Sequence, residues 1–130
     1  MQRPHMLQRI LAVACLSVMG LAPLANAADV SAGADSYDAN CAECHSLANP
    51  IKNKKGPGLF GITGRATGSV PGYSKYSDAM KTANFTWTPD KLDAYFKNAR
   101  EVVPGTNMKF KGIRDAKERA DLVEFLSTQK

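Results

Sequence analysis

The chain has 130 residues, a length that suits one domain, and 44% of its residues are hydrophobic while 22% are charged. Its net charge is +5, but the sequence has no run of like charges and no interleaving of basic with aromatic residues. It therefore gives no argument for nucleic acid binding. No internal repeat or low-complexity tail divides the chain, so the composition predicts one small domain.

The first 27 residues have the pattern of a secretory signal peptide. Arg3 and Arg9 give a basic start, residues 10–22 are almost entirely apolar, and residues 25–27 form the small-x-small sequence of a cleavage site. Pro23 ends the apolar run before the roughly 20 residues that a transmembrane helix needs. A mitochondrial transit peptide is the rival interpretation, and the compact apolar run argues against it. We therefore expect export to the bacterial periplasm without stable membrane insertion.

Cleavage after Ala27 would leave residues 28–130 as the mature domain. This domain has 15 basic and 12 acidic side chains, a net charge of +3 rather than +5. The mild positive charge favours a partner with an acidic surface. About 100 residues support only a small hydrophobic core, so a large apolar cofactor would help to stabilise the fold.

Helical spacing predicts the first helix from residue 31 to residue 44. Val30, Ala34, Tyr37 and Cys41 recur at intervals of three or four residues. This spacing places both cysteines of the following motif, with the adjacent histidine, on the inner face of the helix.

Residues 46–75 contain six glycines and three prolines, which is the composition of loops and turns. A loop this long is unusual in a compact domain unless something orders it, and a bound cofactor would do so. Beyond it we predict a short helix over residues 77–83, a helix over residues 89–99 and a last helix over residues 115–128. Since no segment alternates as a strand would, the domain is predicted to be all-α with long loops.

The segment Cys41-Ala42-Glu43-Cys44-His45 places two thiols and one imidazole within five residues. A thiol–disulfide redox pair normally lies in a βαβ context, which this chain lacks. A structural zinc ion requires four ligands, whereas residues 28–130 contain only two cysteines and one histidine. The third chemistry is covalent attachment of haem c, for which C-x-x-C-H is the known signature. Two thiols on one helix face can add to the two vinyl groups of one porphyrin, and the histidine then falls at the iron. We therefore predict one haem c attached through Cys41 and Cys44.

The other histidine and methionine side chains limit which residue can be the sixth ligand of the iron. No second histidine lies in residues 28–130, so a thioether sulfur is the next usual ligand. Met80 lies in a predicted helix, where filling the core is the ordinary role of methionine. Met108 lies in the broken loop 104–108, which can present sulfur, and it is the predicted ligand. An open sixth position is the alternative.

Four further segments, together with this motif, resemble class I cytochromes c, close to the mitochondrial protein and its short bacterial relatives. They are GPGLFGITGR at residues 56–65, GYSKYSDAMK at 72–81, FTW at 85–87 and PGTNMKF at 104–110. The resemblance covers residues 31–129. It implies the small cytochrome c fold, in which helices and long Gly/Pro loops wrap around one covalently bound haem.

The resemblance also assigns roles to individual residues. It implies that His45 and Met108 are the axial ligands and that the carbonyl of Pro57 accepts the other imidazole N–H. The further residues implied around the haem are Arg65, Tyr76 and Trp87, near the propionates, and Tyr95 and Thr106, near the Met108 sulfur. Without the motif matches, Trp87 and Tyr95 would be interpreted as core packing and Arg65 as a solvated charge.

Two departures from the mitochondrial pattern stand out. Met80 occupies the position of an asparagine near the haem. Asn40, Glu101 and Asn107 replace lysines that usually ring the exposed haem edge. Two interpretations stay open for the cations of this region: they keep part of that ring, or they are ordinary solubilising charges, which is the expectation for any single one. These cations are Lys52, Lys54, Arg100, Lys109, Lys111 and Arg114.

These observations predict a one-electron carrier rather than an enzyme. We expect a monomer that meets its redox protein partners through transient contacts steered by charge. One alternative is a haem enzyme or ligand sensor, peroxidase-like, with Met108 displaced from an open iron; no residue supplies a distal histidine for it. The other is a metal-binding or structural module without haem.

Overall fold

The computed structural model of the chain describes residues 26–130; residues 1–25, most of the predicted signal peptide, lie outside the described residues. The helices are α1 (Val30–Asn40), α2 (Asp78–Lys81), α3 (Pro89–Lys97), α4 (Ala99–Val102) and α5 (Ala116–Thr128). This part of the chain contains no strand, only one antiparallel β-bridge between Ala66 and Thr86. The predicted all-α architecture is confirmed. None of the described helices is long and apolar enough to cross a bilayer.

Helix α1 ends at Asn40, so the predicted end at residue 44 is wrong. The Asp29 carboxylate caps the N-terminus by accepting from the Ser31 and Ala32 N–H groups. At the other end, the Tyr37 carbonyl accepts from both Cys41 N and Ala42 N, at 2.8 and 3.0 Å. This shared carbonyl breaks the helical register. The haem-attachment motif therefore lies in a separate turn after the helix.

The helix predicted over residues 89–99 ends at Lys97 as α3, and the separate short helix α4 follows, because the chain is extended at Asn98 (φ −155°, ψ 96°). Thr88 caps α3, and Pro89 occupies its first turn as predicted. The break has a tertiary cause: the Ile113 N–H donates to the Phe96 carbonyl at 2.8 Å. That carbonyl would otherwise accept from the next turn of α3. The Asn98 carbonyl then accepts from the Glu101 and Val102 N–H groups, which begins α4.

Helices α1 and α5 cross at Gly33 and make the most extensive helix–helix contact of the described domain. A Cβ atom on Gly33 would collide with the Asp121 carbonyl oxygen and would lie 2.6 Å from Phe125 Cβ. Beside this crossing, the Tyr37 and Phe125 rings pack with centroids 5.8 Å apart. Leu122 and Leu126 of α5 are almost fully buried. Glycine at the crossing therefore sets how closely the two helices approach.

Asp121 fastens the start of α1 to α5. Its buried carboxylate accepts from the Asp29 backbone N–H at 2.7 Å and from Lys117 Nζ at 2.5 Å. The hydrogen bond from Lys117 and then that from Asp29 lower the pKa of Asp121 below its ordinary value. The ionised carboxylate thus holds together two segments of the chain that are 92 residues apart in the sequence.

We expect this carboxylate to make stability depend on acid. A carboxyl with a lowered folded pKa stabilises the fold above its ordinary pKa of about 3.9, and this contribution is lost as the pH falls through the folded value. The free energy of unfolding of the wild type should therefore decline more steeply below about pH 4 than that of Asp121→Asn. Urea denaturation of the holoprotein between pH 7 and pH 2 measures both slopes. Lys117→Met, which keeps the carboxylate, should lie between them; identical slopes for all three proteins would contradict the assignment.

The long loop before α2 is fastened by backbone hydrogen bonds to distant segments. Gly56 N donates to the Cys44 carbonyl at 2.7 Å, Leu59 N to Ser46 at 2.8 Å, and Gly61 N to Gln129 at 2.7 Å. These bonds hold the loop over the turn that carries the two cysteines. The loop is ordered by remote partners, although its own sequence contains only turn signals.

Candidate haem-binding site

A cavity of about 390 Å³ opens between the cysteine turn, the long loop and the segment around Met108. Nine of the ten predicted site residues line it: Cys41, Cys44, His45, Pro57, Tyr76, Trp87, Tyr95, Thr106 and Met108. Met80, the other candidate thioether, also lies on its wall. The fold thus gathers residues that are up to 67 positions apart in the sequence onto one surface.

Cys41 and Cys44 form no disulfide, and they lie on a tight turn in which Cys44 N and His45 N donate to the Cys41 carbonyl, at 3.0 and 2.9 Å. Burial, with a smaller contribution from Cys44, raises the pKa of Cys41 to about 12. A redox-active dithiol requires the opposite shift, toward a thiolate at neutral pH. Within residues 26–130, no group of three or more His, Cys, Asp and Glu side chains is arranged to hold a metal ion.

His45 is fixed by hydrogen bonds at its ring and at its backbone. Its Nδ1 lies 2.8 Å from the Pro57 carbonyl, and a carbonyl only accepts, so Nδ1 carries the proton and Nε2 is the basic nitrogen. The Tyr37 hydroxyl donates to the His45 carbonyl at 3.0 Å. Burial lowers the pKa of His45, and the bond to Pro57 opposes that shift. The imidazole is therefore held neutral and oriented, which is the form that ligates iron.

Gly56 lies against the face of this imidazole. A Cβ atom at Gly56 would lie 2.5 Å from His45 Cε1 and 2.8 Å from Nδ1. The ring would have to move, because real Cβ contacts are not this short. Glycine here lets the loop pack on the histidine while His45 Nδ1 keeps its hydrogen bond to the Pro57 carbonyl.

We expect Gly56→Ala to destabilise the holoprotein by about 1–3 kcal/mol, the usual cost of overpacking, and to shift the NMR signals of the His45 ring. Gly72→Ala is the control, because a Cβ there would meet no atom closer than 3.7 Å, an Asn53 side-chain atom. The control should lose stability through its left-handed backbone alone and leave the His45 signals in place. Unchanged His45 signals in Gly56→Ala would contradict the packing argument.

Met108 is positioned by a short chain of hydrogen bonds. Its backbone N–H donates to Thr106 Oγ1 at 3.3 Å, and that oxygen lies 3.0 Å from the Tyr95 hydroxyl. Tyr95 is buried, and burial raises its pKa, so it stays a neutral phenol. The buried helix α3 thereby orients the loop that carries the sulfur.

Trp87 and Tyr95 form an aromatic wall, with ring centroids 4.9 Å apart in an edge-to-face arrangement. Phe85 packs on the other side of Trp87, also at 4.9 Å. The Tyr76 hydroxyl accepts from Val70 N at 3.2 Å. Rings in mutual contact hold one another's orientation, so this wall has a defined shape.

Arg65 is the one predicted site residue that does not line the cavity. Its Nη2 donates to the Phe60 carbonyl at 2.7 Å. Among the described side chains, its Nη1 is the buried nitrogen or oxygen atom that has no partner. A buried guanidinium N–H requires an acceptor, preferably an anion. The acidic groups of a haem fit this requirement, so the donor set of the site suits the group that the cysteines would attach.

Sequence reasoning missed most of the apolar wall and part of the rim. The apolar residues are Leu59, Ile62, Leu92, Phe96, Phe110 and Leu126, and the polar ones include Lys55, Lys75 and Asn107. Helical periodicity marked several of the apolar residues as buried, but it could not separate core from cavity wall. The Asn107 amide also donates to the Lys75 carbonyl at 2.9 Å, which joins two loops at the rim.

Comparison with known proteins places this architecture in a family. The family model described as cytochrome c matches residues 30–130. The chain belongs to the cytochrome c family. The cytochrome c of Gibberella zeae is 44% identical over 98 residues, which are 75% of this chain and 92% of that protein. A c-type cytochrome cy of Rhodobacter capsulatus is 42% identical over 100 residues, which are 77% of this chain and 49% of that longer protein.

A solved structure supports the same assignment. Cytochrome cH from Methylobacterium extorquens superposes with a TM-score of 0.71 and 36% identity, covering 77% of this chain and 98% of that one. As a cytochrome c, the protein is an electron carrier that holds one haem c covalently through Cys41 and Cys44. The small all-α cytochrome c fold predicted from the sequence is confirmed.

Proposed function

We propose that this cytochrome c is a periplasmic one-electron carrier, and not an enzyme, whose single haem is ligated by His45 and Met108. The proposal is carried by one observation: His45 and Met108 line the same cavity, and each is held there by its own hydrogen bond. When bound, the haem supplies an iron that cycles between the ferrous and ferric states. The protein would supply two constant ligands and a cavity wall that is largely apolar.

His45 serves as a fixed, neutral donor. The Pro57 carbonyl accepts its Nδ1 proton at 2.8 Å, which orients the ring and raises the basicity of Nε2. The Gly56 backbone packs on the ring and limits its movement. A ligand that stays in place in both oxidation states keeps reorganisation small, which favours fast electron transfer.

Met108 is the proposed sixth ligand rather than Met80 because Met108 lies in a loop, whereas Met80 lies in a helix. Met80 belongs to the short helix α2, is buried, and joins the hydrophobic core. Met108 is half-buried in a loop, and its backbone N–H is tied to Thr106. A neutral thioether favours the ferrous state, and apolar walls disfavour the extra ferric charge, so both raise the reduction potential.

The leader pattern and the charge at the cavity rim support the proposed localisation and partners. The leader pattern of residues 1–27 supports export, with residues 28–130 as the mature domain. Bacterial c-type cytochromes are among the relatives. Exposed cations at the cavity rim, Lys75 and Lys109, support transient docking to acidic redox proteins. We further propose that the carrier acts as a monomer.

An optical spectrum of the mature protein, made in a host that attaches haem, tests the proposal. We expect sharp low-spin bands in the reduced state and a weak far-red sulfur-to-iron band in the oxidised state. Carbon monoxide should bind the reduced protein poorly. A high-spin spectrum with rapid carbon monoxide binding would instead indicate an open iron, and the ligand-sensing or peroxidase-like alternative would replace the carrier.

A further inference from the structure

Two loops meet along one edge of the haem cavity, one before α2 and one after α4. Each contributes three residues to the cavity lining: Tyr73, Lys75 and Tyr76 from the first loop, and Thr106, Asn107 and Met108 from the second. In the described domain a single hydrogen bond joins the two loops, from the Asn107 side-chain amide to the Lys75 carbonyl at 2.9 Å. The residue that makes this bond is the direct neighbour of Met108 in the sequence.

The Lys75 carbonyl belongs to a segment that is itself held in place. The Tyr73 hydroxyl donates to the Lys55 carbonyl at 2.9 Å. The Tyr73 and Tyr76 rings pack edge to face with centroids 4.8 Å apart, and the Tyr76 hydroxyl accepts from Val70 N. These contacts restrain the chain on both sides of Lys75. A hydrogen bond to its carbonyl therefore restrains the other loop as well.

Met108 is held by hydrogen bonds only from its N-terminal side. Its backbone N–H donates to Thr106 Oγ1 at 3.3 Å. Over residues 26–130, the backbone of residues 109–112 makes no hydrogen bond, and the next backbone N–H to donate is that of Ile113. The chain that follows Met108 is thus free of such restraints for four residues. The hydrogen bonds of Thr106 and Asn107 are the ones that fix the position of Met108.

We propose that Asn107 is a positioning residue for the sixth ligand: its amide, bonded to the Lys75 carbonyl, keeps the Met108 sulfur on the iron and slows its exchange for small ligands. This inference rests on the proposed ligation by His45 and Met108, and it adds what limits the loss of Met108. The sulfur can leave only if its loop moves away from the cavity, and that movement breaks the Asn107 bond. Asn107 and Lys75 are exposed, so the bond changes a local opening rate without deciding the fold.

Binding of imidazole to the ferric protein measures this exchange. The iron–sulfur bond to Met108 breaks and a bond from iron to a nitrogen of neutral imidazole forms, while the iron stays ferric and no proton moves. We would measure at about pH 8, where most of the imidazole is neutral. Stopped-flow absorbance follows the loss of the far-red band. At high imidazole concentration the observed rate should reach a plateau that equals the rate at which Met108 leaves the iron.

Asn107→Ala should raise this plateau rate about 5-fold over the wild type, since one net hydrogen bond changes an equilibrium by about 2- to 12-fold. Asn107→Gln keeps an amide donor, so its rate should lie closer to the wild type than to Asn107→Ala. Two control variants should keep the wild-type rate. Ser74→Ala removes an exposed side chain next to Lys75 that has no hydrogen bond within residues 26–130. Gly64→Ala strains the backbone at a position where the new Cβ meets no atom within 4 Å.

A plateau rate in Asn107→Ala equal to that of the wild type would overturn the inference. An equal increase in Gly64→Ala would overturn it too, because general destabilisation would then explain the effect. Failure of the proposed ligation gives a different result. A wild type without the far-red band, with an imidazole rate that rises linearly and reaches no plateau, has an open iron.

Hydrogen exchange of the ferrous holoprotein, measured by NMR, gives a readout that is independent of added ligand. The Met108 amide, which donates to Thr106, should exchange about 5-fold faster in Asn107→Ala than in the wild type. The Ile113 amide, which donates to Phe96, should keep its wild-type rate. Equal acceleration at both amides would indicate general loosening of the segment and would overturn a specific role for Asn107.

Discussion

Met108→Ala is expected to abolish the far-red band of the oxidised protein and to open the reduced iron to carbon monoxide. The reason is positional: in the described domain only Met80 and Met108 supply a thioether on the cavity wall, and only Met108 lies in a loop tied to Tyr95 through Thr106. The reduction potential should fall by on the order of 0.1 V or more, since axial ligands set haem potentials over about 0.8 V. Optical spectra, carbon monoxide binding and potentiometry measure the three effects.

Met80→Leu is the matched control for this experiment. It removes the other thioether of the cavity and nearly conserves its volume, so it should cost less than about 1.5 kcal/mol of stability. The far-red band and the potential should stay close to those of the wild type. If the band survives in Met108→Ala and disappears in Met80→Leu, the proposed axial ligand is the wrong methionine.

We expect Gly33→Ala to lower the stability of the protein more than the addition of a methyl group at any other position of α1 would. Alanine is a better helix former than glycine by about 1 kcal/mol, so local propensity alone predicts stabilisation. The added Cβ would instead collide with the Asp121 carbonyl and approach Phe125 Cβ to 2.6 Å. Because α5 backbone cannot yield as a flexible side chain would, we expect a loss of about 3 kcal/mol, the upper end of the overpacking range.

Urea denaturation of the oxidised holoprotein, followed by circular dichroism, measures this loss. Gly64→Ala is the control, since it adds the same methyl group at φ +92° with no atom within 4 Å of the new Cβ. It should cost only the backbone strain of about 1–2 kcal/mol. A Gly33→Ala protein as stable as the wild type would show that α1 and α5 can separate freely, contrary to the close crossing.

Local sequence determined the chemistry of the site. The spacing of Cys41, Cys44 and His45 is a property of five consecutive residues, and it specifies haem attachment before any folding is considered. Counting the methionines and histidines of residues 28–130 then left only two methionines as candidates for the sixth iron ligand. Helix starts were also readable, since Asp29, Ser77, Thr88 and Asp115 cap helices through bonds to residues two or three positions away.

Helix ends were less predictable, because distant groups compete for the same carbonyls. The Phe96 carbonyl is taken by Ile113 N, which breaks the predicted third helix at Asn98. The Tyr37 carbonyl is shared by two N–H groups, which releases the cysteine turn from α1. Periodicity reports which residues face inward, but it contains no information about a hydrogen bond to a residue far along the chain.

The roles of individual charges also required the tertiary structure. The sequence shows Arg65 as one cation in a loop, and only the fold reveals a buried Nη1 without an acceptor. In the same way Lys97 and Lys111, which are 14 positions apart in the sequence, line one surface cavity because Gly112 packs against the end of α3. The sequence by itself therefore determined which cofactor the protein holds and which two cysteines attach it. The tertiary structure decided how the His45 ring is oriented and which side chains line the cavity, because both depend on contacts between segments that the linear order does not record.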